Sequence, residues 1–239
     1  MVDPRESAKK LVADWSGHFG SRLRSALLFG SVARGEAIEG VSDINVLLLI
    51  DHIDASTLKQ ASSSTRNWIK TSREAPLLFE SDQWVRAADV FAIEIADMRD
   101  AHEILFGTDP LAPTHVDESA MRLQAERELR AKLLQLQTGL LVAADAPADV
   151  GTLLLQSIPS FTTYMRTVLR LAGKPVPAQT PAVIDQAAAV VGGNAQAYRE
   201  IWDARVSKRA LKPSVDDKLV DDYYDTAEKL ADYVDTLRR

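Results

Sequence analysis

Asp43-Ile44-Asn45-Val46-Leu47-Leu48-Leu49-Ile50 is an apolar run with a polar start, and it is the strongest strand signal in the chain. What surrounds it narrows the fold further. Ser7–Phe19 has the period of an amphipathic helix, with Leu11, Val12, Trp15 and Phe19 three and four apart. Ala26–Phe29 is a short buried strand that stops at Gly30, Thr57–Thr71 is predicted as a helix, and Pro76–Phe79 as a strand. Val90–Ile95 is predicted as a further strand, apolar apart from Glu94. Strands separated by helices imply an α/β layer structure rather than a β-sandwich.

Beyond residue 115 only helices are expected. The stretch Phe106–Pro113, with one glycine and two prolines, reads as a turn-rich linker. After it the spacing predicts helices over Asp117–Ala144, Asp149–Leu171, a segment opened by Thr180-Pro181, Ala195–Lys208, and a last one capped by Ser214 and running to the C-terminus. The second of these should kink at Pro159 and close at Gly173. The expected organisation is an α/β domain over residues 1–115 followed by an all-α bundle over residues 116–239.

The 239 residues contain 28 basic and 34 acidic side chains, a formal charge of -6. That balance excludes a general nucleic-acid coat, which needs clustered cations to displace counterions. Residues 1–115 hold 12 basic and 17 acidic residues, so most of the negative charge lies in the α/β half. No cysteine is present, which excludes disulfides, thiolate metal sites and thiol nucleophiles. His18, His52, His102 and His115 show no zinc-ligand spacing. With no leader-like opening and no long apolar run, the expected setting is soluble and cytoplasmic, without membrane contact.

Chemistry concentrates in Leu28-Phe29-Gly30-Ser31-Val32-Ala33-Arg34-Gly35-Glu36 and Ser42-Asp43-Ile44-Asn45. A strand running into Gly-Ser offers backbone N–H groups and a hydroxyl to a phosphate, and Gly30 allows close approach. Arg34 could add a cationic fork for the same oxygens, or pair on the surface with Glu36 or Glu39. Asp43 and Asn45, two apart on a strand, should point to one face with Cα atoms about 6.6 Å apart, so that their oxygens could converge on one magnesium ion. A P-loop is excluded, because Glu36-Ala37 stands where Lys-Ser or Lys-Thr is required.

This arrangement resembles the nucleotidyltransferase superfamily of the DNA polymerase beta type, nearest to its small bacterial minimal and aminoglycoside nucleotidyltransferases. Gly30-Ser31-Val32-Ala33-Arg34-Gly35 matches that family's turn throughout, and Ser42-Asp43-Ile44-Asn45 matches its Asp-x-Asp strand except at Asn45. Glu94 is the natural third acid, although by itself it could be an edge-strand acid facing solvent. The resemblance implies a mixed sheet and binding of a nucleoside triphosphate by Gly30, Ser31, Arg34 and Asn45. It implies metal ligation by Asp43, Asn45 and Glu94, with Asp43 and Glu94 catalytic. It also implies transfer of a nucleoside monophosphate to a hydroxyl of a small molecule or protein, with pyrophosphate released.

Asn45 departs from the pattern. Replacing a carboxylate by an amide beside a divalent cation removes a gross attraction on the order of 8 kcal/mol at 4 Å and an effective dielectric of about 20. One magnesium ion is therefore expected rather than two. The alternative is a catalytically degenerate nucleotide sensor or protein-interaction module. The helical half resembles the HEPN domains that accompany such enzymes, but residues 116–239 contain no histidine, which excludes a HEPN-type nuclease. Asp221-Asp222-Tyr223-Tyr224-Asp225 spells a diphosphate-binding pattern, yet Lys218/Asp222 and Asp225/Lys229 have the spacing of paired charges on a solvated helix face. Trp15, Trp68, Trp84 and Trp202 are expected as core or interface anchors. A homodimer is compatible with the sequence.

Overall fold

Two adjacent strands, Leu23–Phe29 (β1) and Asn45–Ile50 (β2), sort their side chains into two separate cores. Ala26, Leu28, Val46, Leu48 and Ile50 enter one; Leu27, Leu47 and Leu49 enter the other. This is the two-residue period of a strand buried on both faces. The computed structural model describes residues 3–237, which divide into two compact units between Asp117 and Glu118.

In the first unit, one face of the sheet is covered by α1 (Pro4–Phe19) and, beyond the one-turn helix α2 (Ser31–Arg34), by α3 (Ala55–Ser72). α1 brings Leu11, Val12, Trp15 and Phe19 to this core, and α3 brings Ala61 and Trp68. Leu77–Glu80 (β3) pairs with β2 in parallel, and His102–Gly107 (β4) pairs with β1 antiparallel. With β1 and β2 antiparallel, the order β3-β2-β1-β4 makes a mixed sheet. The second face receives Trp84 from α4 (Ser81–Arg86), Ile95 and Met98 from α5 (Ala92–Asp100), and Leu111. Three of the four tryptophans (Trp15, Trp68 and Trp84) are buried, and Trp202 is half-buried.

Three expectations are corrected here. Val90–Ile95 is not a strand: Ile95 N–H donates to the Phe91 carbonyl at 2.9 Å, and α5 continues to Asp100. Within Val90–Ile95 every residue but Glu94 is apolar, so this short run shows no period to separate helix from strand. Phe106 and Gly107 belong to β4 rather than to a linker. That strand lies at the sheet edge and is half-exposed along its length, which leaves it little apolar signal. The ladder of β2 begins at Asn45, so Asp43 precedes the strand.

Gly107 fixes how β4 meets β1. It lies opposite Ser25 with φ 71°, and a Cβ there would run into the carbonyl oxygen of Arg24. Only glycine fits both the dihedral and the approach.

The second unit is all helical: α6 (Glu118–Ala143), α7 (Pro147–Leu171), α8 (Thr180–Val191), α9 (Ala195–Val206) and α10 (Lys218–Thr236). Phe161 stands edge-on to Tyr198 and Tyr223, whose rings stack at 4.3 Å. Burial pushes both phenol groups above their ordinary range, and the Tyr223 hydroxyl lies 2.8 Å from Ser157 Oγ. α7 runs through Pro159, which has no N–H for the Leu155 carbonyl four residues earlier. Arg205 Nη1 donates to that carbonyl instead, at 2.7 Å.

Asp217, not Ser214, is the residue before α10, and its carboxylate accepts from the Ser214 N–H at 2.8 Å. Asp222 accepts from Asn194 Nδ2 at 2.7 Å and from Lys218 at 2.8 Å, and Lys229 pairs with Asp225 at 2.8 Å. The aspartate-rich segment thus has the paired charges its spacing suggested. Among the described residues no helix is long and apolar enough to cross a membrane.

Candidate nucleotide site

The strand registers bring three separate segments to one end of the sheet. Phe29, the last residue of β1, lies opposite Asn45, the first of β2, and also opposite His102, the first of β4. The Gly30–Ser31 turn, the approach to β2 and the junction from α5 into β4 are therefore neighbours.

They also share a face. Asn45 has the parity of Leu47 and Leu49, which enter the core formed with Ile95 and Met98 of α5. Ile44 enters the opposite core with Val46, Leu48 and Ile50, so the alternation extends one residue beyond the ladder. By that parity Asp43 falls on the side of Asn45 and α5.

Gly30 turns the chain at φ 77°, ψ -151°, a region essentially reserved for glycine. A Cβ there would stand 2.8 Å from Asn45 Nδ2, so the amide of Asn45 packs directly on the turn. Ser31 opens α2 immediately afterwards. The loop that presents Asp43 is pinned on both sides. Ile38 N–H donates to Ser42 Oγ at 2.9 Å, Ile44 N–H to the Ser72 carbonyl at 3.2 Å, and Arg73 Nη1 to the Val41 carbonyl at 3.0 Å.

Among the described residues the partner of Arg34 is Asp97 rather than Glu36 or Glu39. Its Nη2 donates to Asp97 Oδ2 at 2.7 Å, with both side chains mostly buried (12% and 14% exposed), and its Nη1 lies 3.5 Å from the Asp97 carbonyl. Arg5 makes a second tie, donating through Nη2 to the Val32 carbonyl at 3.0 Å and through Nε to Glu103 at 3.1 Å. Arg5, Asp97 and Glu103 are the residues that sequence reasoning missed around this turn. Asp97 would have stood out three residues after Glu94 had α5 been read as a helix.

Glu94 sits in the first turn of α5 rather than on a strand. Among the described residues, no three His, Cys, Asp or Glu side chains are grouped to hold a metal. What this end of the sheet offers is hard oxygen donors in small number, the Asp43 carboxylate and the amide oxygen of Asn45, while Glu94 stands in the first turn of α5. That donor set suits magnesium, which commonly takes one or two protein carboxylates and completes its shell with phosphate oxygens and water.

No family model matches the sequence, and no curated protein matches it. Among solved structures, the chain is similar to spectinomycin adenyltransferase AAD(9) from Enterococcus faecialis, determined with ATP and spectinomycin. The likeness has a TM-score of 0.60 at 13% sequence identity and covers 97% of this chain and 99% of that chain. It is a likeness of fold, and the chain has the nucleotidyltransferase fold with an appended helical domain.

Proposed function

We propose that this protein is a nucleotidyltransferase that binds a nucleoside triphosphate at the Gly30–Ser31 turn and transfers the nucleoside monophosphate to a hydroxyl of a small molecule. The observation that carries this reading is the register of β1, β2 and β4. It gathers a glycine-only turn, Asp43, Asn45 and the α5 junction at one end and one face of the sheet. The similar solved structure, determined with ATP and spectinomycin, supports the same class of reaction.

In this reading the backbone of Gly30 and Ser31 and the Ser31 hydroxyl hold the β- and γ-phosphates. Asp43, Asn45 and Glu94 would hold magnesium, which when bound neutralises charge developing on the triphosphate. The acceptor oxygen forms a bond to the α-phosphorus as the bond to the bridging oxygen breaks, and pyrophosphate leaves with that electron pair. The acceptor proton passes to Glu94. We assign the helical unit to the acceptor or to a partner protein. Net negative charge favours a cationic acceptor.

Calorimetric titration of ATP and GTP with and without magnesium, followed by pyrophosphate release across a panel of hydroxyl acceptors, tests the proposal. Turnover that disappears in Asp43→Ala and in Glu94→Ala supports it; failure of every nucleotide to bind sinks it. One observation favours a second reading, a nucleotide sensor without turnover: Asn45 brings an amide, packed on Gly30, to the place where the family carries a carboxylate. Nucleotide binding without turnover, with turnover appearing in Asn45→Asp, would establish that reading.

A further inference from the structure

Arg34 follows the Gly30–Ser31 turn by one helical turn, where a cation is easily taken for a phosphate ligand. Its guanidinium is instead held by Asp97 of α5 at 2.7 Å, across a pair that is mostly shielded from water. Glu94 and Asp97 are three apart on α5 and so are neighbours on one side of that helix. Ile95 and Met98, each one residue further on, are buried in the sheet core. Among the ties that hold α5 are apolar side chains on the sheet and an ionic pair with the end of α2.

From this geometry we infer that Arg34 is a positioning residue. With Asp97 it forms a strut that sets the rotation of α5, and with it the orientation of Glu94, one turn earlier on the same helix. A phosphate ligand would need its donors aimed at solvent or ligand; this one donates to a carboxylate and approaches the main-chain carbonyl of the same residue. The planar fork of arginine suits such a two-point grip on one residue, and lysine would not reproduce it. The inference rests on reading the Gly30–Ser31 turn as the nucleotide site, but the strut itself can be tested without any nucleotide.

The two roles predict opposite signs for Asp97→Asn. If Arg34 were a phosphate ligand, releasing it from Asp97 would leave ATP affinity unchanged or improved. A strut predicts loss. Arg34→Gln, Asp97→Asn, the double variant and the charge swap Arg34→Asp/Asp97→Arg are compared in the full chain. In the absence of nucleotide, hydrogen–deuterium exchange of the α5 amides should quicken at least about tenfold in both single variants and recover in the swap. Magnesium-ATP affinity should fall by a similar factor in both singles, with the double no more than about twofold worse than either.

Unchanged α5 protection in both single variants overturns the strut. So does ATP affinity lost in Arg34→Gln but kept in Asp97→Asn. Binding of AMP, which lacks the β- and γ-phosphates, separates the cases again: a strut weakens ATP and AMP together, a phosphate ligand weakens ATP alone. If wild type binds no nucleotide, the proposed function fails, while the exchange measurement still decides the strut. Should a single variant fold poorly, recovery of α5 protection in the swap supports the inference, and a swap that folds with α5 unprotected overturns it.

Discussion

Arg205 donates to the carbonyl of Leu155, fifty residues earlier, replacing the N–H that Pro159 lacks. A buried or half-buried carbonyl without a donor is costly, and here the donor comes from a different helix. Truncation at position 205 therefore removes more than a surface charge. Arg205→Met, which retains an unbranched apolar stem, should destabilise the protein by about 1–3 kcal/mol in urea unfolding. In a Pro159→Ala background the restored N–H makes the arginine redundant, and the loss should shrink by at least about 0.5 kcal/mol. Equal losses in the two backgrounds would show that Arg205 acts by packing alone.

Gly30→Ala faces two separate obstacles, a backbone region reserved for glycine and a Cβ 2.8 Å from Asn45 Nδ2. The strain should cost about 1–3 kcal/mol. Adding Asn45→Ala removes the steric obstacle but not the dihedral one. Thermal unfolding is therefore expected to recover only in part in the double variant, and full recovery would mean the backbone at residue 30 had relaxed.

Asn45→Asp adds a second carboxylate close to Asp43. Without metal, like-charge repulsion should lower thermal stability; with magnesium and ATP the order should reverse. A magnesium titration of nucleotide binding should show the variant saturating at lower ion concentration than wild type, by about tenfold or more. An unchanged titration would place Asn45 outside the metal's reach.

Asp54 caps α3, accepting from the Thr57 N–H at 2.7 Å, and that hydrogen bond holds its carboxyl below the ordinary value of 3.8. A group whose pKa is lower in the folded chain stabilises it above the unfolded value, and that contribution fades as pH falls through the folded value. Urea midpoints of wild type and Asp54→Ala should differ most near neutral pH and converge below 3.8. Asp54→Asn keeps a capping oxygen without a titrating proton and should show no such convergence.

Most of the helices could be read from the sequence because their ends carry chemical marks: Pro181 in a first turn, Gly173 after α7, Asn194 before α9. α5 could not, since its opening run Phe91–Ile95 is apolar at every position but Glu94 and is too short to reveal a period. β4 was hidden for the opposite reason, too little burial. The same division applies to the site. Gly30–Ser31 and Asp43–Asn45 are local motifs whose spacing alone suggests their chemistry. The ties that hold them, Arg34 with Asp97 and Arg5 with Glu103, join residues 63 and 98 positions apart, and no one-dimensional pattern announces such a pair.

The glycine at the end of β4 has a bearing on how this chain could change over time. Gly107 locks against Arg24 at one end of the β1–β4 ladder, while Asp97 grips Arg34 ahead of the other. The nine residues between these two anchor points therefore act as a ruler. Their identities can drift as long as the core positions stay apolar, but an insertion or deletion of one residue would either break an anchor or turn every side chain of β4 to its opposite face. Natural or engineered diversity in this segment should appear as substitution, hardly ever as a change of length.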